Sequence, residues 1–159
     1  MPYTPYLDLQ EIPNGLLTWD SVMTSDLNIL DTVIGKIKFT DGEPGVLTAG
    51  MVVYISGNNT VSRADATSNT KPGIAICRTT DGVTVKIKQF GVAIDVLTIG
   101  AGDIVAGDRV FLSTTLGKVV KTPPQVSGNI VQLIGRASKG EVAGKVDVLL
   151  AIDFNPLEV

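Results

Sequence analysis

The stretches TAGMVVYIS (Thr48–Ser56) and VAGDRVFLS (Val105–Ser113) stand 57 positions apart and say nearly the same thing. Each is a small-residue turn followed by a run of β-branched and aromatic residues, the composition of a strand entered through a tight turn. With Leu47 placed on Ile104, Ala49-Gly50 falls on Ala106-Gly107 and Val53–Ser56 on Val110–Ser113. After a slip of one residue, Val61 falls on Val119, Ile76 on Ile134 and Arg78 on Arg136, and AID recurs at Ala93–Asp95 and Ala151–Asp153. A repeat this long holds several strands, more than one solenoid rung. It predicts a mainly β fold, an antiparallel sandwich or barrel built from two similar halves at about 42–96 and 100–154, within a β-domain over 36–159.

The runs KIKFT, MVVYIS, GIAICRT, VTVKIKQFGVAIDV, DRVFLS, KVVKT, NIVQLIGRA and KVDVLLAIDF supply the strands. Asp41-Gly42, Gly57-Asn58, Asp81-Gly82, Leu116-Gly117 and Lys139-Gly140 supply turns between them. Val83, Val85 and Ile87 alternate with Thr84, Lys86 and Lys88, which predicts one dry and one wet face.

Residues 1–35 read differently. Pro2, Pro5 and Pro13 among Tyr3, Tyr6, Leu7, Leu9 and Ile12 suit an extended arm. A helix is expected next, with Thr18 as N-cap, Asp20 in its first turn and Gly35 as its stop. Its apolar positions, Trp19, Val22, Met23, Leu27, Leu30, Val33 and Ile34, keep helical spacing. Met23, Leu27, Leu30 and Ile34 also step as a short coiled-coil seam, so the helix packs either on its own β-core or on symmetry mates around an axis. The assembly contacts expected here are Tyr3, Tyr6, Leu7, Leu9, Ile12, Trp19, Met23, Leu27, Leu30 and Ile34.

Composition narrows the function. Apolar residues make up 44% of the 159 residues and charged ones 18%, too few to cover a small monomer comfortably, so part of the surface is expected to lie against a partner. The net charge is −3 and the basic residues are scattered, which argues against nucleic acid. No apolar run approaches the roughly 20 residues that span a bilayer, and MPYTPYLDLQEIP has neither a basic leader nor an apolar signal core, so a soluble, uncleaved chain without a membrane partner is expected.

Without histidine, the Ser/His/Asp and Cys/His arrangements and histidine metal sites are excluded. The one cysteine, Cys77, sits in GIAIC and reads as a small buried thiol. Asp8/Glu11, Asp26/Asp31 and Asp41/Glu43 read as solvated acids. DGEPG lacks the ligand pattern of a calcium loop, and GAGDIVAG lacks the third glycine and the helix of a dinucleotide loop. NNT (Asn58–Thr60) without a signal peptide reads as accidental, and Pro123-Pro124 as an exposed loop. No enzyme and no cofactor is expected.

LLTWDSVMTSDLNILDTVIG, with Trp19, Asn28 and Leu30-Asp31, resembles the N-terminal helix of tailed-bacteriophage fibre and virion-surface proteins. LTAGMVVYISG, VAGDRVFLS, KTPP, QLIGRA and VDVLLAIDF are similar to small domains of phage capsid decoration, head-fibre and tail-fibre proteins. The likeness runs from about Gly15 onward. It implies a homotrimer made in the host cytoplasm and placed on the outer capsid surface, with itself and the major capsid protein or another virion protein as partners. The chain ends at Pro156–Val159 without a receptor-binding tip, which favours a decoration or cement role. The alternative is a short head- or tail-fibre protein with a carbohydrate-binding role, in which Trp19, Tyr54, Phe90 or Phe111 would stack on sugars.

Overall fold

Val52 and Val53 are neighbours in the sequence, and both are fully buried, which a strand permits only if it has a core on each side. The computed structural model describes residues 38–100 and 102–159, and it supplies both cores. In chain order the strands are β1 (Lys38–Asp41), β2 (Val52–Gly57), β3 (Thr60–Arg63), β4 (Ala75–Thr80), β5 (Thr84–Lys88), β6 (Val92–Leu97), β7 (Arg109–Leu112), β8 (Val119–Val120), β9 (Ile130–Val131), β10 (Leu133–Ala137), β11 (Lys145–Leu150) and β12 (Leu157–Glu158). Among the described residues the fold is mainly β with no helix. The arm and helix expected over Met1–Ile34 lie outside the described residues.

The first five strands close into a barrel in the order β1-β3-β2-β4-β5. Its register sets Phe39 opposite Val85, Ile55 opposite Val61, Val52 opposite Ile76 and Cys77 opposite Ile87. One ladder departs from the expected antiparallel pattern: β1 runs parallel to β3, with Asp41 opposite Val61. The second sheet runs β6-β11-β10-β7-β8. There Val96 faces Val146, Leu112 faces Val119, Arg109 faces Arg136 and Ala137 faces Val148. A parallel bridge joins Thr98, just past β6, to Val119 in β8. β9 and β12 form a two-stranded sheet of their own.

Two of the expected strands break. VTVKIKQFGVAIDV divides at Gly91, a residue with φ of 75°, into β5 and β6, which belong to different sheets. The ladder of β6 is with β11, in the second sheet. NIVQLIGRA divides at Gln132 into β9 and β10. Within β5 the expected alternation holds, with Val85 and Ile87 buried and Lys86 exposed, whereas Val83 precedes the strand and is exposed.

The barrel is filled by Leu47, Val53, Val61, Ala75, Cys77, Val85 and Ile87. The larger core lies on the other side of β2. There Val52, Ala64, Ala66 and Ile76 meet residues of the second sheet that include Val110, Leu112, Val119, Ile134, Val146 and Val148. Backbone bonds lace the same seam. The Leu97 N–H donates to the Gly50 carbonyl at 2.9 Å, Val52 N–H to Gly117 at 2.9 Å, Gly117 N–H to Ala64 at 2.7 Å and Ala66 N–H to Ser113 at 2.9 Å.

Gln132, fully buried, closes the seam: its Oε1 accepts the Gly73 N–H at 2.7 Å, and its Nε2 donates to the carbonyls of Gly73 at 2.8 Å and Asp153 at 2.6 Å. Removing one side chain would orphan three backbone groups and leave a cavity. Gln132→Ala is therefore expected to cost about 2–4 kcal/mol, read as a lower midpoint in urea unfolding. A midpoint within error of the parent would show that the clamp contributes nothing.

Candidate functional site

The buried and half-buried carboxylates are committed to neighbours. Asp41 ends β1, and its Oδ1 accepts the Glu43 N–H of the following turn at 2.8 Å while its Oδ2 accepts the Thr80 hydroxyl at 3.0 Å. Glu43 takes the Arg63 backbone N–H at 3.1 Å and its guanidinium Nε at 2.9 Å. Burial pushes the Glu43 carboxyl up, but the Arg63 hydrogen bonds and the charges of Arg63 and Lys71 outweigh it and hold the group below its ordinary range. Asp65 is governed the same way: burial raises it, and the hydrogen bonds from Thr67 together with Lys71, at 3.3 Å, outweigh that and hold the group below its ordinary range. These groups clasp turns. Among the described residues no cluster of three potential metal ligands forms. Cys77 is buried in the barrel, and burial together with the Asp41 charge pushes its thiol up to about 11, which keeps it protonated and unreactive at neutral pH.

The outward face of the second sheet is where the surface departs from ordinary patterning. In β6 the small Ala93 points inward while Val92 and Ile94 point out, 41% and 70% exposed. Leu149, directly opposite Val92 on β11, is 51% exposed. Phe90, in the turn before β6, is 77% exposed. Scattered apolar residues on a surface need no explanation, but here cross-strand neighbours face water together. The same row continues across the ladders from Leu149 to Arg136 and then Arg109.

Beside Val92 and Ile94 a cleft of about 420 Å³ opens against the β4 strand of the barrel. Ile76, Cys77 and Thr79 line it with the cations Arg78 and Lys88, neither of which has an ion-pair partner among the described residues. Asp95 closes the far wall in a left-handed conformation, φ 55°, and its N–H is held by the Asp147 carboxylate at 3.1 Å. An apolar floor with unpaired cations at its edge can hold a side chain or a chain segment; nothing there pairs a nucleophile with a base.

The expected assembly contacts, Tyr3, Tyr6, Leu7, Leu9, Ile12, Trp19, Met23, Leu27, Leu30 and Ile34, all lie outside the described residues. Of the aromatic residues considered for stacking, Tyr54 and Phe111 are half-buried, Tyr54 against the larger core, and Phe90 is exposed. Within GAGDIVAG, Ala106-Gly107 form a turn just before β7. The face of Val92, Ile94 and Leu149 was not singled out from sequence. Its only signal is the alanine between two large aliphatics, the reverse of the size pattern expected for an outward-facing pair. No family model, no curated protein and no solved structure matches the chain.

Because the carboxyls of Glu43 and Asp65 lie below their unfolded values of 4.5 and 3.8, their stabilisation is complete above those values and is lost as pH falls through the lower folded ones. The melting temperature should drop on acidification from pH 5, and Glu43→Gln with Asp65→Asn should flatten that drop while lowering stability at neutral pH. An unchanged slope would show that the acid sensitivity resides elsewhere.

Proposed function

We propose that this chain is a structural protein of the tailed-bacteriophage virion surface, a homotrimeric decoration or cement protein that stabilises the shell through contacts with the major capsid protein. The observation that carries the reading is the aliphatic face of β6 and β11, with Val92, Ile94 and Leu149 exposed side by side on a chain with few charges. Covering such a face contributes about 25 cal/mol per Å² of apolar surface before association costs are subtracted, so modest contacts repeated around a symmetric assembly suffice. The resemblance of the N-terminal and β-region motifs points to the same class of protein.

The β-unit reads best as two copies of one five-stranded module, β1–β5 and then β6, β7, β8, β10 and β11. Several pairings support this. Phe39 opposite Val85 corresponds to Val96 opposite Val146, and the parallel Asp41–Val61 pair to the Thr98–Val119 bridge. Ile55–Val61 corresponds to Leu112–Val119, Val52–Ile76 to Arg109–Arg136, and Cys77–Ile87 to Ala137–Val148. The interior positions Leu47, Val53, Val61, Cys77, Val85 and Ile87 correspond to Ile104, Val110, Val119, Ala137, Val146 and Val148, all buried. In this reading β9 is an insertion, and Ile76 corresponds to Arg136 rather than to Ile134.

Native mass spectrometry should find a multiple of the 16.7 kDa chain, and the protein should sediment with undecorated capsids. Ile94→Asp with Leu149→Asp should lower capsid retention at least tenfold, the effect of about 1.4 kcal/mol, without changing the melting temperature appreciably. A monomer that ignores capsids would end the reading. The second reading, a carbohydrate-binding fibre protein, is favoured by one observation, the exposed ring of Phe90. Glycan binding lost in Phe90→Ala, in a protein that leaves capsids alone, would replace the first reading with it.

A further inference from the structure

We propose that the cleft between β4 and β6, together with the lysine row that leads into it along β5, is a binding site for an extended acidic peptide, one that carries carboxylates on alternate residues and an aliphatic side chain beyond them. The inference goes beyond the proposed function: it concerns the outward face of the barrel, and it names the occupant by its chemistry, whatever molecule supplies it.

The outward face of the barrel carries the charge. Phe39, Val85 and Ile87 pack inward, so Lys38, Lys86 and Lys88 turn outward. Lys38 and Lys86 are both exposed and stand directly opposite each other on the β1–β5 ladder. Like charges so placed disfavour the sheet, so the pair has no source in stability. Lys88 follows two residues on, half-buried and opposite Ile76. Arg78 is the extra residue of a bulge in β4, where Cys77 pairs with Ile87 and Thr79 with the adjacent Lys86. Bulges re-aim a side chain, and this one delivers an exposed guanidinium to the cleft, which Arg78 and Lys88 line together.

The arrangement selects the ligand. Lys86 and Lys88 are separated by about 7 Å along their strand, the same repeat that separates alternate side chains of an extended peptide, so acids two residues apart meet both ammonium groups at once. Beyond Lys88 the cleft, about 420 Å³, is walled by Ile76 on the barrel side and by Val92, Ala93 and Ile94 on the other, which suits an aliphatic side chain. Asp95 on the far wall repels a carboxylate from the β6 side, so acids go to Arg78 and the lysines, and the aliphatic group goes to Val92 and Ile94. Asp81, in the β4–β5 turn, has its Oδ1 committed to the Val83 and Thr84 N–H groups at 2.9 and 2.6 Å. A nucleic acid fits less well: its phosphate backbone brings no aliphatic group to the cleft, and a chain of net charge −3 opposes a long polyanion.

The probe is a fluorescein-labelled, end-capped peptide, Glu-Thr-Glu-Thr-Ile, titrated with the full chain and read by fluorescence anisotropy. Saturable binding is expected, falling with added salt. Arg78→Gln with Lys88→Gln should weaken it at least tenfold, as should glutamine in place of both glutamates, and serine in place of isoleucine should weaken it several-fold. Lys86→Gln should weaken binding while leaving the melting temperature unchanged or raised, because it relieves the repulsion from Lys38. No saturable binding at millimolar peptide overturns the site, as does equal binding of the glutamine peptide or an Arg78→Gln, Lys88→Gln protein that binds as the parent does. An oligothymidylate bound more tightly than the peptide overturns it in favour of nucleic acid. A lower melting temperature in Lys86→Gln shows that this lysine serves the fold and overturns the lysine row. Peptide binding by a protein that leaves capsids alone supports the site and ends only the virion reading.

Discussion

The constraint on which everything else depends is that β2 begins buried on both faces, at Val52 and Val53. Val53 points into the barrel and Val52 into the core shared with the second sheet, so neither sheet can complete its interior without this strand. A stretch buried on both faces reads as consecutive apolar residues rather than alternating ones, and Val52-Val53 at the start of the strand is such a pair. The seam bonds and the Gln132 clamp then fix the angle and spacing that the shared core leaves open. Those buried groups are polar, so the join tolerates a single arrangement in which each is satisfied.

The β character was legible from β-branched runs and turn residues because each run needed only its own neighbours to be read. The echo of TAGMVVYIS in VAGDRVFLS was legible as spacing alone, and the aliphatic positions it matches, Leu47/Ile104, Val53/Val110 and Val61/Val119, are all buried. The run NIVQLIGRA was less legible: it reads as one strand, but the chain divides it at Gln132 into β9 and β10, which pair with different strands, and apolar patterning does not announce where a run changes partner.

The surface face was the hardest to read. Alternation in FGVAIDV divides Val92 and Ile94 from Ala93 but does not say which set is inside, and size alone suggests the wrong one. The decision comes from β11, whose Val146 and Val148 already fill the space behind β6 and leave room there only for alanine and Val96. Carboxylates show the opposite relation between sequence and structure. Asp41/Glu43 read as a solvated turn pair, yet Asp41 is buried and Glu43 is bound to Arg63 from a distant strand, a partnership no local spacing announces.

The row Val92, Leu149, Arg136, Arg109 crosses a single sheet and changes character halfway, aliphatic at the β6 edge and cationic toward β7. A sheet built only for stability would have no reason for that division, since both halves face water and would be served equally by threonine and lysine. Read as a surface for assembly, the two halves do different work. The aliphatic half gains by being covered, and the arginine half loses by being covered with anything apolar. On the proposed reading, a partner lying across the sheet would be held in one orientation, with its apolar contact toward β6 and its polar contact toward β7. Orientation is what a symmetric shell requires of each subunit added to it, because a contact that can form in two directions cannot repeat around an axis.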